Sequence, residues 1–362
     1  MAMENENRPH KRRVHYSGKY PRKFEEKYKE QNPEKYADEI RHVISKGNTP
    51  AGMHISIMVD EILEVLDIHP GMKGLDCTLG YGGHSTAMIE KLRAKDGAGF
   101  EGHLTSLDID PIEIEKTTKR MRDRGFDESV WNPLHTNFRN IDQVAREFGP
   151  FDFVLADLGV SSMQIDDPTR GFSWKMDGPL DLRFDPEKGE SAAERLRSLD
   201  REEMEGLFIE NSDEVYAHDI AIAIDKAFRS AKKIETTTDL RHLITTVILA
   251  EKDVKKLSKE EQKEAVKKSC TRVFQALRID VNQEFEVLCE FLEKLPNVLS
   301  ENGRVAILTF HSGEDRLVKK MFKEQLRTGL YSEVARDVIR PSREECFRNP
   351  RAHSTKLRWA RK

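Results

Sequence analysis

Gly74-Leu-Asp-Cys-Thr-Leu-Gly-Tyr-Gly-Gly-His84 is a short apolar run that ends in an acid and leads into a glycine-rich loop. An amphipathic segment begins at about Ser85, so the sequence predicts a strand, a loop and a helix in that order. The glycines of such a loop let the backbone approach a ligand closely. A second apolar run, His103 to Leu107, ends in Asp108. Together the two runs indicate a nucleotide-type α/β site.

The composition of the loop narrows the choice of ligand. The loop has no Gly-Lys-Ser/Thr, which a phosphate loop needs, and Ser85 stands where the dinucleotide pattern has its third glycine. A nicotinamide dehydrogenase is therefore disfavoured. Asp108, at the end of the second predicted strand, can accept hydrogen bonds from both hydroxyls of a ribose. These residues favour a ligand with adenosine and ribose but no phosphates, such as S-adenosylmethionine.

Further along the chain, apolar runs alternate with helical patterns, which predicts a parallel sheet with crossover helices. We expect strands at 73–78, 103–107, 130–135, 151–156 and 304–310, and helices between them at about 84–94, 111–123 and 140–147. The alternation stops after residue 165, and residues 191–268 have helical patterns. A long helix over 271–299 then leads to the fifth strand, and 357–361 is expected to form an antiparallel closing strand.

The expected fold class is thus α/β, with a helical domain inserted between the fourth and fifth strands. We expect one α/β domain from 51–165 and 269–362, and an inserted domain at 166–268. Residues 1–50 are expected to form a separate extension, with short helices around 22–30 and 34–46.

Composition excludes several classes of protein. Charged residues make up 34% of the 362 residues and hydrophobic ones 37%, which is typical of a soluble globular protein. No apolar run approaches the roughly 20 residues of a membrane span, and the polar N-terminus predicts no secretion signal. Four scattered cysteines form no Cys-x-x-Cys pair, so we expect reduced thiols, no zinc site or other metal, and a cytoplasmic location.

Basic residues are concentrated in two segments, although the net charge is −4. Residues 336–362 are rich in lysine and arginine, and residues 8–36 interleave basic residues with tyrosines. Such clusters can contact phosphates and stack on bases. The alternative is a solubilising tail or a solvated face, and charge alone does not separate the two interpretations.

Two further candidates follow predicted strands. Asp157 ends the fourth strand and His311 follows the fifth, and ligands of open α/β sheets bind at the carboxyl ends of strands. Asp157 could accept hydrogen bonds from an amino group that is methylated, or could contact the cofactor. His311 could contact the acceptor or act as a base, or it could be a buried histidine beside a helix cap at Ser312. Arg278 and Asn282 share a helix face and could reach the cleft or tie the insertion to the core.

The motifs as a set resemble the bacterial 16S ribosomal RNA cytosine-N4 methyltransferase H family. The matching segments are Gly80-Tyr-Gly-Gly-His-Ser, Asp157-Leu-Gly-Val-Ser-Ser, Arg170-Gly-Phe-Ser, Asp177-Gly-Pro-Leu-Asp-Leu-Arg, Phe274-Gln-Ala-Leu-Arg-Ile, His311-Ser-Gly-Glu-Asp-Arg and Asn349-Pro-Arg-Ala. The resemblance covers about residues 53–362, so residues 1–50 are additional to it. It implies a class I methyltransferase domain, with a mostly parallel seven-stranded sheet, that binds S-adenosylmethionine.

The resemblance also implies a substrate and a set of site residues. The substrate would be N4 of a cytidine in the decoding centre of 16S rRNA, in the small ribosomal subunit. Cofactor contacts would fall on Gly82, Gly83, His84, Asp108, Phe138, Asp157 and Gln164, and the catalytic candidates are Asp157 and His311. A paralogue with another RNA site, and a non-catalytic RNA-binding assembly factor, are the alternatives. A homodimer is compatible with the sequence.

Overall fold

A computed structural model describes residues 56–94, 97 and 99–362. The extension at 1–50, with its expected helices at 22–30 and 34–46, lies outside the described residues. In the described part, no helix is long and apolar enough to cross a membrane.

The described residues contain a seven-stranded sheet with the order β3-β2-β1-β4-β5-β7-β6. The strands are β1 Lys73–Asp76, β2 His103–Asp108, β3 Trp131–His135, β4 Phe151–Asp157, β5 Leu299–Thr309, β6 Glu333–Val334 and β7 Lys356–Arg361. Strands β1 to β5 are parallel, and β7 is antiparallel to both β5 and β6. The predicted α/β fold class is confirmed, and so is the antiparallel closing strand. The strand order reverses between β1 and β4, which is where open α/β sheets bind ligands.

Helices surround the sheet and fill the segment between β4 and β5. They are α1 Val59–Leu66, α2 Gly83–Lys91, α3 Pro111–Asp123, α4 Ile141–Phe148, α5 Ser162–Asp166, α6 Ala192–Ser198, α7 Arg201–Ser212, α8 Ala217–Arg229, α9 Thr237–Ala250, α10 Lys259–Asn282, α11 Glu284–Val298, α12 Ser312–Arg327 and α13 Arg343–Arg348. Short 3₁₀ turns lie at Phe138–Asn140, Pro168–Arg170, Val254–Lys256 and Pro350–Ser354.

Strand β3 forms although Pro133 lies within it. Proline has no N–H to donate to a neighbouring strand, but β3 is an edge strand of this sheet, and an edge strand pairs on one side only. It pairs with β2 alone among the described strands, with Pro133 opposite Ser106. Strand β3 can therefore form in spite of its proline because it lies at an edge of the sheet.

Helix α10 differs from the prediction. We expected a helix to end near 268 and another to run from 271 to 299, but α10 continues without a break to Asn282. Ser269 and Cys270 are buried and continue its apolar face. The break falls at Gln283, which adopts a left-handed conformation with φ 51° and separates α10 from α11. Polar Gln283 gives no local signal of a helix end, since left-handed residues are most often glycine or asparagine.

The helical segment has a hydrophobic cluster of its own. Its buried residues run from Leu180 to Leu277, whereas two other clusters lie on the faces of the sheet. The boundaries of an inserted domain stay a proposal, and this separate cluster supports it. The last part of α10 supplies Val273, Phe274 and Leu277 to the cluster, although it lies beyond the predicted boundary at 268.

Candidate active site

A cleft of about 630 Å³ lies at the carboxyl ends of β1, β2, β4 and β5. All of the expected cofactor contacts and both catalytic candidates line it, namely Gly82, Gly83, His84, Asp108, Phe138, Asp157, Gln164 and His311. The cleft also has a wall contributed by the helical insertion. Parallel strands place their ends at one edge of the sheet, which is why residues far apart in sequence meet here.

In the loop after β1, glycines are needed for packing within the protein as well as for the approach of a ligand. A Cβ on Gly82, whose φ is +81°, would lie 2.9 Å from Thr117 Cγ2. A Cβ on Gly83 would lie 2.0 Å from Ser56 Oγ. Both glycines line the cleft, and a larger residue at either position would require the neighbouring side chains to move.

Ser85 takes the place of the third glycine of a dinucleotide site, and its side chain has a structural role. Its hydroxyl donates to Asp76 Oδ2 at 2.6 Å and lies 2.9 Å from Ser106 Oγ. Asp76 is fully buried, does not line the cleft and accepts a further hydrogen bond from the backbone N–H of Thr78 at 3.0 Å. Through these hydrogen bonds, Asp76 holds the start of α2 next to the end of β1.

Asp108 lies at the end of β2 and lines the cleft. Its carboxylate accepts hydrogen bonds from Gly80 N at 2.8 Å and from Asp110 N at 2.9 Å. Burial raises the pKa of Asp108 to about 7, although these two backbone bonds act in the opposite direction. The carboxylate is thus fixed against the glycine loop, in the position that suits an acceptor for ribose hydroxyls.

The raised pKa of Asp108 predicts pH-dependent cofactor binding. The ionised form accepts hydrogen bonds from two hydroxyls, so affinity for S-adenosylmethionine should be highest above pH 7. Below that pH we expect affinity to fall by up to about tenfold per pH unit, because each pKa unit corresponds to a factor of ten. Isothermal titration calorimetry between pH 5.5 and 8.5 measures this. The control is Asp108→Asn, which has no carboxyl at this position, so its cofactor affinity should depend less on pH. If affinity falls with pH as steeply in this variant as in the wild type, the prediction is wrong.

His84 and Asp157 form a pair within the cleft. His84 Nε2 lies 3.4 Å from Asp157 Oδ2. Burial lowers the pKa of His84, but Asp157, with smaller contributions from Asp76 and Glu345, more than offsets this, so the pKa is raised overall. Among the described residues, Asp157 Oδ1 is a buried oxygen without a hydrogen-bond partner, and the His84 ring nitrogens form no well-aligned hydrogen bond. A buried acceptor without a partner is costly, so it points to a bound group that donates to it.

Phe138 and Gln164 also line the cleft, with different surroundings. Phe138 packs edge-on against Phe291, with ring centroids 5.1 Å apart. Gln164 Oε1 accepts from Ser161 N at 2.9 Å, and its amide donates to Asp110 Oδ2 at 2.8 Å. Both polar atoms of Gln164 are therefore used within the protein, and its contact with the cofactor stays a prediction.

His311 lies in a buried charged network. Its Nε2 is 3.1 Å from Glu314 Oε1, and Glu314 Oε2 accepts from Phe310 N at 2.9 Å. The alternative in which Ser312 caps this helix is wrong, because α12 begins at Ser312 and His311 is the cap residue. Arg278 donates to both oxygens of Glu284, at 2.7 and 2.9 Å.

This network resembles a metal site in its donor atoms. Glu284, His311 and Glu314 each place one such atom within 4.8 Å of the other two. However, the guanidinium of Arg278 already neutralises Glu284 and occupies both of its oxygens. We assign no metal to this cluster, and the expected absence of a metal stays a prediction.

Asn282, singled out above as a residue that could tie the insertion to the core, does so, whereas Asp110, Glu284 and Glu314 had not been singled out. Asn282 accepts from Phe184 N at 2.8 Å and donates to Leu182 O at 2.8 Å, so it ties α10 to the start of the insertion. Arg170 forms a buried ion pair with Asp110 at 2.7 Å. The insertion's wall includes Phe172, Trp174, Lys175, Lys267, Phe274 and Gln275. The acid three residues after His311 is a helix-start signature that could have revealed Glu314, whereas Glu284 and Asp110 have no such signal.

The residues present fit S-adenosylmethionine. The ribose would be held by Asp108, the adenine would pack against Phe138, and the buried oxygen of Asp157 could accept a donor group. Among the described lining residues, no lysine or arginine lies beside the loop where it would suit a pyrophosphate, because Lys175, Lys267, Arg278 and Arg351 lie on the insertion, on α10 or after α13. Arg120 contacts the loop by donating to Tyr81 O at 2.9 Å, but it does not line the cleft.

Known proteins agree with this interpretation. The MraW methylase family matches residues 51–362. A protein of Lachnoclostridium phytofermentans named ribosomal RNA small subunit methyltransferase H 1 is 60% identical over 99% of this chain and 94% of its own. A protein of Agathobacter rectalis with the same name is 60% identical over 98% and 99%. Ribosomal RNA small subunit methyltransferase H of Hydrogenovibrio crunogenus is 36% identical over 85% and 96%.

The alignments also bear on residues 1–50. Matches over 98–99% of this chain include nearly all of that extension, so the two relatives at 60% identity share it. The extension thus lies outside the matching motifs, but the two relatives also have it. Since the family matches most of the chain and the cleft fits the cofactor, the chain belongs to the MraW methylase family and is a methyltransferase that uses S-adenosylmethionine.

Proposed function

We propose that this protein methylates ribosomal RNA of the small subunit, at N4 of a cytidine in the decoding centre. The names of the relatives support the RNA substrate, and the resemblance of the motifs supports the nitrogen and the location. The observation that carries the proposal is the buried oxygen of Asp157, which has no hydrogen-bond partner among the described residues and belongs to a cleft-lining carboxylate. An exocyclic amino group can donate the hydrogen bond that this oxygen lacks.

The insertion provides a surface for the base. Phe172 is stacked on Phe184, with centroids 5.8 Å apart and planes 26° from parallel, and Phe172 and Trp174 line the cleft. Aromatic side chains receive bases that have left their stack, and the base must leave its stack before its amino group can be reached. The same cleft therefore offers a cofactor end at the sheet and an aromatic wall at the insertion.

Bound S-adenosylmethionine supplies an electrophilic methyl group attached to a sulfonium. The N4 amine is a poor nucleophile, because its lone pair is delocalised into the cytosine ring. A hydrogen bond from N4–H to Asp157 would localise the lone pair on nitrogen and stabilise the positive charge that develops there. Transfer of the methyl group to N4 would leave S-adenosylhomocysteine, and Asp157 would accept the proton that the methylated N4 gives up. His84, 3.4 Å away, orients that carboxylate.

His311 is the second candidate for the proton. Glu314 holds its ring at 3.1 Å, and His311 lines the same cleft. Together with Glu284 and Arg278, these groups form a fixed polar wall next to the insertion. Fixed dipoles and charges stabilise a developing charge without reorganising, which suits a reaction that creates charge on nitrogen.

The test is mass spectrometry of 16S rRNA from a strain without this protein. We expect N4-methylcytidine in the decoding centre to be absent and to return when the wild-type gene is restored. Restoration with Asp157→Asn should leave it absent. An unchanged level of N4-methylcytidine in the deletion strain would overturn the proposed nucleotide, and would assign the enzyme to another RNA site.

A further inference from the structure

Phe347, on helix α13, is the most exposed large hydrophobic side chain of the described residues. It keeps 88% of its surface accessible, whereas Val215, the next, keeps 73%. Single exposed hydrophobic residues are common on protein surfaces. Whether Phe347 belongs to a binding surface therefore depends on how its helix is held and on which residues lie beside it.

Helix α13 is firmly attached to the rest of the protein. Ser342 Oγ accepts from Glu345 N at 3.0 Å at the start of the helix. Glu345 Oε1 in turn accepts from Met58 N at 2.7 Å, which joins α13 to the residue before α1. After the helix, Asn349 N donates to Glu345 O at 2.7 Å. The ring of Phe347 is thus presented on a fixed support rather than on a loose loop.

The basic residues of the 336–362 segment divide into two groups. Lys356 and Arg358 both pair with Asp315, at 2.9 and 2.7 Å, and Arg361 pairs with Glu333 at 2.9 Å. These three have structural partners at the edge of the sheet.

A second group faces solvent in the segment that leads into α13 and at the start of that helix. Arg336, Arg340 and Arg343 are exposed, and the described residues place no acidic group in an ion pair with them. Arg343 is four residues before Phe347 on α13, so the two lie on one face of the helix. Phe347 therefore shares its helix face with Arg343, whereas Glu344 on the same helix is paired with Arg348.

This surface begins at the rim of the cleft. Asn349, Pro350, Arg351 and Ser354, which follow α13 directly, all line the cleft. Arg351 Nη2 lies 3.4 Å from Asp166 Oδ2, in the segment after β4. A strand that entered the cleft with one nucleotide would have its neighbouring nucleotides close to this surface.

We propose that Phe347 stacks on an unpaired base of the substrate RNA, next to the target nucleotide, while Arg336, Arg340 and Arg343 contact its phosphates. The inference rests on the proposed RNA substrate. Aromatic side chains bind single-stranded RNA by stacking, and arginines bind its backbone. A protein partner would favour a patch of several apolar side chains, whereas this ring shares its helix face with an arginine and follows a segment with two more exposed arginines, which matches a polyanion with exposed bases.

The experiment compares Phe347→Ala with Phe347→Trp. The probe is deproteinised 16S rRNA from a strain lacking this protein, and filter binding measures the Kd. We expect Phe347→Ala to raise the Kd roughly 5- to 150-fold, the range for loss of one stacked base. Phe347→Trp, which keeps a ring, should stay near the wild-type value. Val215→Ala, an exposed hydrophobic residue of the insertion, is the matched control and should change nothing.

The outcomes separate this inference from the proposed function. If the wild-type protein binds neither this RNA nor unmodified small subunits, both fail. If the wild type binds and methylates while Phe347→Ala matches it, this inference alone is wrong. If Phe347→Ala leaves RNA affinity unchanged but converts a dimer to a monomer in analytical ultracentrifugation, the surface is a protein contact and the inference is also wrong. Cofactor affinity should be unchanged in every variant.

The arginines give a second readout, through salt. Replacing Arg343 by alanine should weaken binding and reduce the slope of log K against log salt by roughly 0.7, the value for one phosphate contact of a single strand. Phe347→Ala should leave that slope unchanged, because stacking releases no counterions. Equal slopes in the wild type and in Arg343→Ala would show that Arg343 contacts no phosphate of the RNA.

Discussion

Replacing Asp157 by asparagine should reduce kcat about 10²- to 10⁴-fold, the usual contribution of a positioned acid or base. The amide keeps the size of the side chain but cannot accept the N4 proton. Its NH₂ group would also face the amino group of the substrate, donor against donor. Single-turnover methylation of unmodified small subunits, with labelled cofactor at saturating concentration, measures the effect on turnover separately from binding.

Asp167→Asn provides the matched control for this substitution. Asp167 lies in the same segment after β4, but its carboxylate accepts from Thr169 N at 2.9 Å and caps a short 3₁₀ turn. Asparagine caps helices about as well as aspartate, so this variant should keep wild-type turnover. A normal kcat in Asp157→Asn would exclude Asp157 from proton transfer. A higher Kd for the cofactor with normal kcat would assign it to cofactor binding instead.

Asp108→Ala should weaken S-adenosylmethionine binding about 10²- to 10⁴-fold. The carboxylate would accept from two ribose hydroxyls, and hydrogen bonds to a charged group contribute roughly 1.5–3 kcal/mol each. Cofactor should therefore no longer raise the melting temperature of this variant at concentrations that stabilise the wild type, since stabilisation follows the ratio of ligand concentration to Kd. Isothermal titration calorimetry gives the affinity directly.

The control for Asp108→Ala is Asp123→Ala, which removes an exposed acid at the far end of α3. It should bind the cofactor as the wild type does. Asp108 also accepts from Gly80 N, so the melting temperature without cofactor must be compared as well. Wild-type affinity in a folded Asp108→Ala variant would show that the ribose is held elsewhere.

The order of strands and helices could be predicted from the sequence because each element is encoded locally. The run over Phe151–Asp157 is apolar almost throughout, and Gly80, Gly82 and Gly83 mark a loop by themselves. Once the strands are parallel, their carboxyl ends share one edge, so Asp108, Asp157 and His311 had to border one cleft. Phe138 is different, because only the resemblance selected it, and its own sequence context is that of a core aromatic.

The rest of the site depends on contacts between residues far apart in sequence. Arg170 and Asp110 are separated by 60 positions, and Phe184 and Asn282 by 98. No local pattern links such pairs, since each residue has several chemically suitable partners along the chain. The same reason hides the end of α10, where Gln283 adopts a left-handed conformation that its side chain does not favour.

The position of β7 has a consequence for biosynthesis. This strand pairs with β5 on one side and β6 on the other, yet it follows every other strand of the described chain. While the protein emerges from the ribosome, the backbone of β5 from Arg304 to Thr309 has a free edge until Lys356–Arg361 arrives. A free edge of a buried strand is a template for pairing with another chain. Shortened translation products that lack β7 should therefore aggregate rather than accumulate as partly folded enzyme.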